Sequence, residues 1–131
     1  ILSSVGHLPD GLVEALEAKY RLLVLDAHTP VPVKNEYATP ATLGRDRLAA
    51  VVGAWELFPG KNTLVIDAGT CVTYDLLLAE GVYVGGNIAP GMAMRLHAMH
   101  AFTANLPEAP RPKDFSLLGN STETALQNTA I

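Results

Sequence analysis

A tight turn, Asp67-Ala68-Gly69-Thr70, set between two apolar β-prone runs, Thr63 to Ile66 and Cys71 to Leu78, constrains this chain more than any other feature. Such runs joined by a short glycine-containing turn read as a β-hairpin. A lone hairpin cannot bury its apolar side chains, so the flanking segments must cover it. Upstream, Thr42 to Phe58 carries apolar residues at helical spacing through Leu43, Leu48, Val51, Val52, Trp55 and Leu57, with Pro40 before it and Pro59-Gly60 closing it. Downstream, a third strand, Val82 to Val84, runs into Gly85-Gly86-Asn87-Ile88-Ala89-Pro90-Gly91. Met92 to Phe102 then reads as a helix with Met92, Leu96, Met99 and Phe102 inward.

The outer segments extend this α/β order. Leu8 to Tyr20 predicts a first helix starting at Pro9 and Asp10, with Leu8, Leu12, Val13, Leu16 and Tyr20 on one side. Arg21 to Leu25 is a short apolar run, and Val31 to Val33, broken by Pro30 and Pro32, suits edge strands or extended connections. Asn120-Ser121-Thr122-Glu123 resembles a capping box. Asn120 would accept from the first turn and Glu123 would reach back, so a last helix begins there.

Composition excludes several classes of function. The formal net charge is -4 and no Lys/Arg cluster occurs, which argues against a nucleic-acid or membrane-surface binder. The single Cys71 can form no internal disulfide and no CxxC pair exists, so a reducing compartment is the simplest expectation and a thiolate metal site is excluded. No apolar run reaches the roughly 18 residues that span a bilayer, and no basic segment precedes an apolar one at the start. A soluble cytoplasmic protein is expected. The chain opens on Ile1 rather than Met and stops inside a helix-like pattern at Ile131, and both ends are read as cut from something longer.

Three segments carry residues suited to chemistry. In the hairpin, Gly69 lets the backbone approach an anion, Thr70 offers a hydroxyl donor, and Asp67 can hold a hard cation through oxygen. The same residues also fit a plain turn whose Asp and Thr cap the backbone. Gly44, Arg45, Asp46 and Arg47 stand at the start of the second helix, where free amides favour anions. Asp46 there can take a proton from a substrate hydroxyl, and Arg45 and Arg47 can hold a carboxylate or orient Asp46; a first-turn Asp is also common for helix stability alone. Gly85 to Gly91 can line an adenine pocket or simply turn the chain. It lacks the spacing and lysine of a phosphate loop, no GxxxxGK[ST] occurs, and a Rossmann or P-loop kinase is disfavoured. The histidines, His7, His28, His97 and His100, form no metal-binding pattern and are read as structural or exposed.

Taken in order, Asn35-Glu36-Tyr37, Leu43-Gly44-Arg45-Asp46-Arg47-Leu48-Ala49, Ile66-Asp67-Ala68-Gly69-Thr70, Gly85 to Gly91, Thr103-Ala104-Asn105-Leu106-Pro107 and Gly119-Asn120-Ser121-Thr122-Glu123 resemble the motifs of the type III pantothenate kinase family. Any one of them is weak; six in register are specific. The resemblance covers essentially the whole chain and corresponds to the middle of a family member about twice as long. It implies an α/β, actin-like ATPase (ribonuclease H-like) fold. Residues 1–60 would close the first lobe with the substrate segment, and residues 61–131 would open the second, with a linker near Pro59 to Asn62.

The resemblance further implies that ATP phosphorylates pantothenate to 4'-phosphopantothenate, the first step of coenzyme A synthesis. Asp46 would be the general base. Tyr37, Gly44, Arg45, Asp46 itself, Arg47 and Thr122 would bind pantothenate, and Thr70 would contact ATP phosphate, with Gly69 added on physical grounds. Asp67 would bind potassium or ammonium, and the chain would pair as a homodimer. The family's Asp-x-Gly-Asn-Thr hairpin, which positions magnesium, has no counterpart in these 131 residues, so the chain by itself is expected to be inactive. A competing expectation is a non-catalytic transcriptional accessory protein on the same fold; a third is a sugar or acetate kinase of the same superfamily.

Overall fold

In a computed structural model, residues 1–4, 6–114 and 116–130 are described. The order of elements is α1 (Leu12–Glu17), β1 (Lys34–Asn35), a 3-10 turn (Pro40–Thr42), α2 (Arg45–Leu57), β2 (Thr63–Ala68), β3 (Cys71–Leu77), β4 (Val82–Pro90), α3 (Met92–Ala101) and α4 (Thr122–Ala130). The strands form one mixed sheet in the order β1-β4-β3-β2. β1 runs parallel to β4, with Lys34 opposite Val82 and Asn35 opposite Tyr83. Only two residues separate β2 from β3, a connection that antiparallel neighbours alone can make.

Two compact units emerge. The first comprises Ile1–Val65 and Asp75–Gly86, the second Ile66–Tyr74 and Asn87–Ile131.

The first unit is built on α2. Arg47, Leu48, Val51 and Ala54 recur at three- and four-residue spacing and form its buried face. They pack with Val33, Leu43, Leu77 and Tyr83, while Val31, Tyr37, Val52, Trp55 and Val65 close the rim. Val51 and Leu77 are completely buried, and each contributes about 1.5–3 kcal/mol through removal from water. The turn between β3 and β4 places Gly81 at φ +78, a left-handed conformation. A side chain there would meet the Trp55 ring at 3.1 Å. Glycine thus both makes the turn and lets the indole approach it closely.

The second unit has its own core of Leu96, Ala109, Leu126 and Ala130, joined by Met92, Met99 and Leu106. These residues bring α3 against α4.

Several sequence expectations shift. The first helix is limited to Leu12–Glu17, with Gly11 at φ +75 before it and no buried residue on it. With no residue of the helix fully buried, packing does little to extend it to Leu8 and Tyr20. Val31 to Val33 forms no strand; ladder pairing begins at Lys34, the first residue past Pro32 and Val33 whose N–H donates to the sheet, to the Gly81 carbonyl at 2.8 Å. β4 does not end at Val84 but continues through Gly85 and Gly86 to Pro90, so the glycine-rich segment is strand rather than turn. Phe102 is not inward: it lies just past α3 and is 87% exposed. The cap of α4 is one residue later than expected. Thr124 N–H donates to Ser121 Oγ at 3.2 Å and Ser121 N–H donates to Thr124 Oγ1 at 3.0 Å, a reciprocal pair that replaces Asn120 and Glu123.

Candidate functional site

The start of α2 gathers most of the sequence-selected residues of the first unit. Gly44 precedes the helix, and Arg45, Asp46 and Arg47 form its first turn. The turn folds Asp46 back on itself: its Oδ1 accepts the Arg47 backbone N–H at 2.9 Å, and a Cβ on Gly44 would lie 2.5 Å from that same oxygen. Glycine is therefore required for Asp46 to take this rotamer. The carboxylate remains exposed at a helix N-terminus, where unpaired amides favour negative charge. Arg45 is half-buried and donates from Nη1 to the Leu43 carbonyl at 3.0 Å.

Arg47 behaves differently. It is 5% exposed and clamps Asp75 of β3, which is 1% exposed: Nε donates at 3.1 Å to each carboxylate oxygen and Nη2 donates at 2.6 Å to Oδ1. Tyr83 of β4 adds its hydroxyl to the same Oδ1 at 2.6 Å. The guanidinium carbon lies 5.4 Å from the centre of the Tyr37 ring. Tyr37 in turn stacks on Tyr83, with ring centres 6.2 Å apart and planes 4° from parallel. Tyr37 is fixed from behind as well, since its N–H donates to Asn35 Oδ1 at 2.9 Å and its ring faces Gly85, whose φ of +114 suits glycine. Hydrogen bonding to Asp75 raises the Arg47 pKa still further. Burial pushes the Tyr83 phenol up, and its bond to Asp75 pushes the same way. The carboxylate that Arg47 holds is thus an internal one.

Asp75 and Tyr83 were not selected from sequence, yet a signal existed. An Asp inside the apolar run Cys71 to Leu78 must be paired if its side chain turns inward, and the arginines of the neighbouring helix are the nearest candidates in the order of elements.

The remaining selected residues belong to the second unit. Asp67, Gly69 and Thr70 are exposed at the β2–β3 turn, where the Gly69 N–H donates to the Cys71 carbonyl at 2.9 Å. Gly91 docks on this turn, its N–H donating to the Thr70 carbonyl at 3.0 Å. A Cβ on Gly91 would overlap the carbonyl oxygens of both Gly69 and Thr70. Because backbone cannot yield as a side chain can, Gly91→Ala is expected to cost about 1–3 kcal/mol, read as a lower urea midpoint. The carboxylate oxygens of Asp67 are hard donors of the kind that a hard cation takes. Thr122 opens α4 and is exposed. Among the described residues no cluster of three or more His, Cys, Asp or Glu forms, and no helix is long and apolar enough to cross a membrane.

Beside the Asp67 turn lies a cavity of about 370 Å³ lined by Ala68, Gly69, Val72, Tyr74, Met92 and two arginines, Arg95 and Arg111. No local pattern associates these arginines, because they stand on different segments 16 positions apart.

Comparison with known proteins gives a consistent result. The chain is 54% identical over its whole length to a type III pantothenate kinase of Christiangramia forsetii and 51% identical to one of Phocaeicola vulgatus, covering 54% of each. It therefore spans about half the length of the curated relatives it matches. A crystal structure described as a conserved Baf family transcriptional activator from Campylobacter jejuni superposes with a TM-score of 0.56 at 19% identity, over 93% of this chain and 54% of that one. That likeness concerns the fold alone. The family profile described as Type III pantothenate kinase matches residues 1–131, and with it the relatives of Christiangramia and Phocaeicola place this chain in the type III pantothenate kinase family.

Proposed function

We propose that the protein to which these residues belong transfers the γ-phosphoryl group of ATP to the primary hydroxyl of pantothenate, giving 4'-phosphopantothenate and ADP, the first step of coenzyme A synthesis. The observation that carries this reading, beside family membership, is Asp46: an exposed carboxylate held by its own helix turn, next to an arginine whose charge is already matched by Asp75. Asp46 takes the hydroxyl proton as the new O–P bond forms, and the bond from the γ-phosphorus to the bridging oxygen of ADP breaks. Tyr37, Gly44, Arg45 and Arg47 hold pantothenate, and Thr122 donates a further hydrogen bond. Gly69 and Thr70 meet the ATP phosphates from the β2–β3 turn.

Asp67 would hold potassium or ammonium, a charge that when bound offsets that of the phosphates. Magnesium, expected with ATP, would be held largely by residues outside this chain. The chain would supply the end of the first lobe and the start of the second lobe of an actin-like ATPase fold, in a cytoplasmic homodimer. The test is ATP-dependent phosphorylation of pantothenate by protein of the relatives' full length, with and without potassium. Turnover that needs the cation is expected; a folded, full-length protein with no turnover would overturn the reading.

A further inference from the structure

We infer that Asp75 and Tyr83 are positioning residues for the substrate turn, acting on pantothenate recognition through Arg47 and Tyr37 without touching substrate. The inference rests on the kinase reading above. Its basis is that two residues of the candidate site, from separate segments, are anchored to one buried point. Arg47 on α2 and Tyr83 on β4 both donate to Asp75 Oδ1 at 2.6 Å, and Tyr83 supports Tyr37 by stacking. The Asp46 carboxylate is one residue from Arg47 and bonded to its N–H, so the guanidinium clamp also fixes the turn that aims Asp46.

A purely structural role explains this arrangement less well. A buried ion pair is on average no more stabilising than apolar residues of the same volume, so stability gives no reason to build one here. What it supplies is direction. Nε and Nη2 are both committed to Asp75, which leaves the guanidinium a single orientation, and the Tyr83 hydroxyl donates to the same Oδ1 that Nη2 bonds. Every buried side-chain polar atom among the described residues has a partner, so the network is complete without a substrate. The site is thus organised before pantothenate arrives, and no ordering of Arg47 or Tyr37 is left for binding to drive.

The experiment uses full-length enzyme and two variants. Asp75→Asn keeps the shape but loses the charge; Tyr83→Phe keeps the stack and removes one hydroxyl, and so stays folded where the first variant fails to. For each, KM for pantothenate, KM for ATP, kcat and thermal midpoint are measured. Tyr83→Phe is expected to lower kcat/KM for pantothenate by roughly 3- to 30-fold, the range in which residues off the ligand alter its recognition. Asp75→Asn, by displacing reacting groups, is expected to lower it by about 10²-fold. In both, KM for ATP stays within about twofold. A merely structural role would lower the thermal midpoint and leave the kinetic constants of the folded enzyme unchanged, and that result for Tyr83→Phe overturns the inference. Equal changes in the two KM values overturn it also. If wild-type enzyme turns over and the variants match it, only the inference fails; if wild-type enzyme does not phosphorylate pantothenate, the kinase reading fails and takes the inference with it.

Discussion

Asp46→Asn in the full-length enzyme is expected to lower kcat by about 10²- to 10⁴-fold, the usual contribution of a positioned proton acceptor. Folding should hardly change. The side chain is exposed, and its one bond inside the turn, from the Arg47 N–H, can be received by an amide oxygen as well as by a carboxylate. KM for pantothenate should therefore move little, and the loss should fall on the chemical step. A folded Asp46→Asn enzyme with unchanged kcat would remove Asp46 from the role of base.

Arg47→Met is expected to have its largest effect on stability, about 3–5 kcal/mol in urea unfolding. The loss comes from Asp75, which would remain almost fully buried with only the Tyr83 hydroxyl to satisfy it. Arg47 itself can be replaced: Arg47→Met combined with Asp75→Leu should recover most of the lost stability, because apolar residues of similar volume pack as well as the ion pair. That double variant should nevertheless bind pantothenate poorly. A loss below about 1 kcal/mol in the single variant would mean that water reaches Asp75 and that the pair is not sealed.

How far the sequence could be read depended on how local each signal was. The helix from Arg45 and the strands from Thr63 and Cys71 were legible because their apolar periodicity is strong and their ends carry proline or glycine. The first helix was overread, since none of its residues is fully buried and periodicity alone does not stabilise a short helix. The Gly85 to Gly91 segment was misread because glycines signal turns, whereas here Gly85 takes its φ of +114 inside β4 and the strand continues. At the candidate site, Asp46 and its neighbours are contiguous and could be picked out together. The link from Arg47 to Asp75 spans 28 positions and depends on which way β3 faces, so no local pattern contains it.

The meeting of Trp55 with the Gly81 turn gives the first unit an optical label of its own. The chain has one tryptophan, and its ring lies between α2 and the bend that joins β3 to β4. Emission from that indole therefore reports whether the helix bearing Asp46 is seated on its strands, and nothing in the α3–α4 core contributes to it. Fluorescence and far-ultraviolet circular dichroism, recorded on the same sample, separate loosening of that seat from loss of helix elsewhere without any dye or engineered probe.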